Sequence, residues 1–146
     1  MRRPATAMLA VWVVSSACAG GTRPAASPAA GSAGSLAQIY FWRARPGKLA
    51  EYNRYIQEVA EPIDRSAQER GAFLSVTTYV SQDTSTAWTH MRVFILRDST
   101  QLAGLSGALE RAGIEVEPDS AKRRVRGEYA TTLRERFGAL TVKVLP

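Results

Sequence analysis

Hydrophobic and polar positions from residue 36 onward change period several times, and each change marks an element. In "LAQIYFWRAR" Ile39, Phe41 and Arg43 alternate with Tyr40, Trp42 and Ala44, which predicts a strand with two distinct faces, closed by "RPGK". Leu49, Tyr52, Ile56, Val59, Ile63 and Ala67 then fall three or four apart, with Glu51, Arg54, Glu58 and Arg65 around the other side, so a long amphipathic helix follows. Gly71 is placed to stop it, and Pro62 should bend or split it. "FLSVTTYV", the polar turn "SQDTST" and "AWTHMRVFIL" read as a β-hairpin. Asp98 or Ser99 caps a second helix carrying Leu102, Leu105, Leu109 and Ala112 and ended by Gly113. Its Gly104 and Gly107 each weaken it by about 1 kcal/mol relative to alanine. Past "IEVEPD", Asp119 or Ser120 caps a third helix with Ala121, Val125, Tyr129, Leu133 and Phe137 on one face, ended by Gly138; "LTVKVL" is the last strand. The predicted order is β-α-β-β-α-α-β.

Polarity divides the strand residues into two faces. Ile39, Phe41, Leu74, Val76, Val80, Met91, Val93 and Ile95 form a nearly pure apolar set, expected under the helices. Tyr40, Trp42, Ser75, Thr77, Tyr79, Trp88, His90, Arg92 and Phe94 share the other face, whose tyrosines and tryptophans with a few polar tips have the composition of an interface. His90, the only histidine, is accordingly expected near the seam between two copies, with its ring nitrogens hydrogen-bonded.

The element order and the opening "QIYFWRARPGKLAEYNRYI" resemble the dimeric α+β barrel superfamily, which includes the antibiotic-biosynthesis monooxygenase, stress-responsive barrel and NIPSNAP types. The resemblance covers nearly all of residues 36–146, with the extra helix between Gly113 and Gly138 as a departure. It implies an α+β fold, a ferredoxin-like antiparallel sheet with helices on one face, closed into a barrel by a second copy of the chain. In the superfamily's enzymes a substrate or heme often lies between sheet and helices. No residue role is carried over, since the quoted stretch holds no catalytic signature.

The amino terminus has its own plan. Arg2 and Arg3 precede an apolar run from Ala5 to Val14 and then small residues, as in an export signal over residues 1–19. The run is about half of the roughly 20 residues that cross a bilayer. "SSAC" before "AGG" resembles a bacterial lipobox with Cys18 as the lipidated residue, although Ser15 stands where leucine is usual; "ACA" also fits ordinary cleavage after Ala19. The first reading gives a membrane-anchored lipoprotein of the bacterial cell envelope, facing the periplasm or the exterior, and the second a secreted protein. Residues 20–35, "GGTRPAASPAAGSAGS", lack acidic and aromatic side chains and should act as a flexible tether of roughly 20 to 25 Å.

Composition narrows the chemistry. Cys18 is the only cysteine, so the domain at 36–146 has no thiol for disulfides, thiolate metal sites or nucleophilic catalysis. No nucleophile elbow, phosphate-binding glycine loop or metal-binding histidine pair occurs, so no metal site and no cofactor can be named. His90 and Arg92 are candidates for acid–base or anion-binding work, and Tyr55, with Tyr52 and Asn53, is the nearest polar group on the first helix. Tyr40, Trp42, Tyr79, Trp88, His90 and Arg92 are the candidate ligand-binding or dimer face. Much of the net charge of +6 lies in Arg2, Arg3, Arg23 and the cluster "KRRVRGE", best read as a solvated helix face pairing with "EVEPD". Nucleic acid is not an expected partner of an exported domain. The expectation is a ligand-binding or interaction module, with itself, a membrane and a small apolar molecule as partners; the alternative is a cofactor-independent monooxygenase-like or heme-handling enzyme.

Changing Cys18 to serine should move the chain from the membrane fraction to the soluble one without altering its melting curve, because the tether separates anchor from domain. Membrane association that survives Cys18→Ser would reject lipidation there.

Overall fold

The computed structural model describes residues 35–83 and 85–145; Cys18, the expected signal and all of the expected tether except Ser35 lie outside the described residues. The elements are β1 (Leu36–Ala44), α1 (Leu49–Tyr55), a π-turn (Ile56–Ala60), α2 (Glu61–Glu69), β2 (Ser75–Val80), β3 (His90–Leu96), α3 (Ser99–Val116), α4 (Ser120–Leu133) and β4 (Arg134–Lys143). The four strands form one sheet in the order β2-β3-β1-β4, every neighbouring pair antiparallel. This is an α+β fold with a ferredoxin-like antiparallel sheet and the helices on one face.

Local chemistry accounts for the helix boundaries. Pro62 lacks the N–H that would bond back to Glu58, and its ring would meet that carbonyl in an unbroken α-helix; the chain widens into the π-turn just before it. Past α2, Gly71 takes φ +76°, with Ala72 N–H donating to the Ala67 carbonyl and Gly71 N–H to that of Gln68, the paired bonds of a Schellman end. The Asp98 carboxylate accepts from Gln101 N–H, and that of Asp119 from Ala121 and Lys122 N–H, so each caps the helix expected of it.

Two apolar clusters join helices to sheet. Phe73, Phe94 and Leu96 pack with Ala67, Leu105 and Ala112, and Ala44 packs with Tyr52, Ile56 and Leu133. For β1 and β3 the covered face is the reverse of the one expected, whereas on β2 Val76 and Val80 share the covered face as expected. Strand pairing sets Tyr40 opposite Arg92, Trp42 opposite His90 and Val80 opposite His90, all beneath the helices. Ile39, Phe41, Met91, Val93 and Ile95 point away and belong to neither cluster. Polarity misled because the polar groups of the covered face find partners on the helices, whereas aliphatic side chains look like core wherever they are. The hairpin register adds a second correction: Tyr79 pairs with Met91 and shares the open aliphatic face, and Trp88 packs on Phe41 there, so neither accompanies His90.

The carboxyl-terminal elements also differ from expectation. α3 continues past Gly113 to Val116, and α4 stops at Leu133, where Arg134 starts β4 without a loop. Phe137 and Gly138 are therefore strand residues. Phe41 pairs with Gly138 and Trp42 with Arg136, which leaves Phe137 as the extra residue of a β-bulge. A glycine beside a bulge imitates a helix stop in sequence.

Gly71→Ala should destabilise the domain by about 1 kcal/mol through backbone strain alone, because an added Cβ meets nothing within 4 Å. Gly104, equally unobstructed but helical, should give the opposite sign on replacement by alanine, a gain of up to about 1 kcal/mol. Urea midpoints of the two variants, at unchanged slope, check both.

Candidate functional site

Between the covered sheet face and α3 lies a cleft of about 250 Å³. Strand alternation supplies one wall, with Tyr40 and Trp42 from β1, Arg92 and Phe94 from β3, and Arg134 and Arg136 from β4; Ser106 and Leu109 of α3 form the other. Each arginine is held near an aromatic face. The Arg134 guanidinium carbon lies 3.5 Å from the Trp42 ring centroid, that of Arg136 5.0 Å from Tyr40 and that of Arg92 5.4 Å from Phe94. Arg92 is paired with the buried Asp64 carboxylate of α2. Arg134 and Arg136 form no ion pair among the described residues.

Beside the cleft, a polar layer fastens the first helix to the sheet. His90 is fully buried, its ring 4.3 Å from that of Tyr52. Burial, with Arg134 and Arg92 nearby, pushes its pKa down to about 4, so the ring is neutral at pH 7. In that form Nε2–H donates to Asn53 Oδ1 at 2.7 Å, and Nδ1 accepts from the Thr89 hydroxyl at 2.9 Å. Both nitrogens are engaged, so His90 acts as a rivet under α1. Burial pushes the Asp64 carboxyl up to about 6, with the Arg92 cation pulling the other way. Burial also lowers Arg134 from its usual value.

The residues singled out in the sequence are thus dispersed. Tyr40, Trp42 and Arg92 line the cleft, and His90 lies buried next to them. Tyr55 stacks edgewise on Tyr129 of α4, away from the cleft lining, while Tyr79 and Trp88 belong to the open face. Sequence reading missed Asp64, Arg134 and Arg136. Arg134 and Arg136 stand two apart, the strand period, but a helical reading of residues 121–137 masked that signal. No group of three or more His, Cys, Asp or Glu among the described residues is placed to hold a metal.

No protein-family model and no curated protein matches the chain. Solved structures do. The chain is similar to HapK from Hahella chejuensis at TM-score 0.50 and 8% identity, over 75% of this chain and 92% of that one. It also aligns with SnoaB, a cofactor-independent oxygenase from Streptomyces nogalater, at TM-score 0.46 and 11% identity, over 78% and 96% of the two chains. A dimeric ferredoxin-like protein of unknown function from Jannaschia sp. CCS1 aligns at TM-score 0.47 and 17% identity, over 76% and 98%. At such identities the likeness is one of fold.

His90 and Asp64, both buried, give opposite pH dependences. His90, depressed from 6.5 to about 4, contributes stability that is complete above pH 6.5 and lost as pH falls toward 4. Asp64, raised from 3.8 to about 6, favours the folded state below pH 4 and loses that contribution as pH rises through 6. Each is on the order of 3 kcal/mol at roughly 1.4 kcal/mol per pH unit, so the pair largely cancels. Asp64→Asn should unmask a stability that climbs from pH 4 to 6.5, and His90→Gln one that falls over the same range. Urea unfolding at half-unit pH steps reads the slopes, and identical slopes in all three proteins would contradict the assignment.

Proposed function

We propose that this chain is an exported small-molecule-binding protein, anchored to the cell envelope through Cys18, that works as a homodimer and holds its ligand between sheet and α3. The observation that carries the reading is the cleft itself. It is concave, lined by aromatic and aliphatic side chains with a few convergent polar groups, and close in size to the lower end of ligand pockets, about 300 Å³. Asn53 and Asp64 are taken up by His90 and Arg92 in fastening α1 and α2, which leaves Arg134 and Arg136 as the cleft cations without an ion pair among the described residues.

Dimer formation is supported by the open sheet face. Ile39, Phe41, Met91, Val93 and Ile95, continued by Leu140 and Val142 of β4 at 41% exposure each, form a contiguous apolar surface with little to keep it in water. Meeting a second copy would remove it from solvent at about 25 cal/mol per Å². The barrel expected from the superfamily resemblance would then close through the aliphatic face, and His90 would lie outside the seam.

The alternative, a cofactor-independent oxygenase or heme-handling enzyme, needs a group that can take a proton or hold iron in the cleft. The lining offers arginines, Tyr40 and Ser106, and His90 has no free ring nitrogen. The binding reading is therefore preferred.

Native mass spectrometry of the full-length chain tests the proposal, since it reports subunits and retained ligand together. A dimer carrying extra non-covalent mass is expected, with Val93→Asp reduced to monomers because it would bury an unpaired charge at the seam. A wild-type monomer would overturn the dimer. A Soret absorption band in the same preparation would replace the binding reading with the heme one.

A further inference from the structure

Two cations face the cleft without an acid to answer them. Arg92, Arg134 and Arg136 all line it, no lining residue is acidic, and among the described residues the one carboxylate paired with these arginines, Asp64, is taken up by Arg92. Protein interiors do not keep uncompensated guanidinium groups cheaply, because removing such a charge from water costs several kcal/mol unless a partner restores it. Arg134 is the sharpest case. Its guanidinium carbon sits 3.5 Å from the Trp42 ring centroid, and its Nε–H is buried with no acceptor among the described residues, as is the Nε–H of Arg92.

A guanidinium stacked on an aromatic ring keeps its N–H edge free for in-plane bonding, and that fork matches the two oxygens of a carboxylate. The other lining groups prefer a flat apolar body: the rings of Tyr40, Trp42 and Phe94, and Leu109 from α3. The volume of about 250 Å³ suits one or two fused rings.

Resting on the ligand-binding reading above, we infer that the cleft selects a planar aromatic carboxylate, its rings among Tyr40, Trp42 and Leu109 and its carboxylate bridging Arg134 and Arg136. Arg92 then serves as a positioning residue, with Asp64 holding its far side. The anion supplies the negative charge that no lining residue carries and an acceptor on the side of Arg134 where its Nε–H has none, and the pair of arginines excludes cationic and strongly apolar molecules of the same shape.

Isothermal titration of the full-length chain with 2-naphthoate and with 2-naphthamide, which share size and rings and differ in charge, tests the inference. The carboxylate should bind at least about tenfold more tightly, as expected of charge-assisted over neutral hydrogen bonds, and the advantage should shrink as salt rises. Arg136→Gln, an exposed position whose change spares folding, and Arg134→Gln should each bring naphthoate toward the naphthamide affinity. Arg134→Lys, which keeps the charge and loses the fork, should recover only part of the difference. Equal affinities for the two molecules in wild type would overturn the anion selectivity and leave the ligand-binding reading standing. Binding of neither would overturn both, and selectivity that survives both glutamine variants would remove the arginines from the role.

Discussion

The buried contacts between the first helical stretch and the middle strands decide most of what this molecule is. Arg92 and His90 stand on adjacent same-face positions of β3, and each must be desolvated if helices are to cover the sheet. Asp64 of α2 answers the first and Asn53 of α1 the second. An unanswered guanidinium or imidazole under a helix would cost several kcal/mol, more than one aliphatic contact restores. The helices therefore settle where their own polar side chains meet those of the strands. Once they do, the other face is left aliphatic and uncovered, and the space beside the rivets, between sheet and α3, becomes the cleft.

The same constraint explains what could and could not be read from the sequence. Periodicity predicts β1, the two hairpin strands, the three helical stretches, the Asp98 and Asp119 caps and the Gly71 stop, because each is a local matter of φ/ψ preference and hydrogen bonding. Which face of the sheet lies inside is not local. It depends on Asn53 and Asp64 being carried to His90 and Arg92 across 37 and 28 residues, and a rule that sends aliphatic faces inward has no access to such pairings. The cleft is subject to the same limit: alternation groups Tyr40, Trp42 and Arg92 on one face, but Arg134 and Arg136 of β4 sit inside an apolar spacing that continues the helical pattern four residues past Leu133.

The start of β4 is where fold and site are most closely joined. Arg134 follows directly on Leu133, the last buried residue of α4, and the chain passes from helix to strand with no turn between. Arg45 N–H donates to the Leu133 carbonyl at 2.9 Å, tying that junction to the end of β1. Leu133 is anchored among Ala44, Tyr52 and Ile56, so the position of Arg134 over Trp42 is set by the core. The bulge at Phe137 then restores the pairing of β4 with the rest of β1. A site whose cations start from a helix core and a registered strand is held more rigidly than one built on loops.

Arg92 and Arg134 share a cleft and differ in how their charge is handled. Arg92 has a carboxylate, and its role in closing the α2–sheet interface is enough to explain it. Arg134 is half-buried, set over the Trp42 ring, lowered from its usual pKa by burial and without an ion pair among the described residues. The ring face offsets part of the lost hydration, about 2 kcal/mol for a desolvated cation–π contact, against several for the burial itself. A purely structural role would be served as well by methionine or leucine, which fill the same volume without that deficit. The remaining imbalance, a guanidinium lowered from its usual pKa and holding a buried Nε–H without an acceptor among the described residues, is a cost that the folded domain carries at this one position of β4.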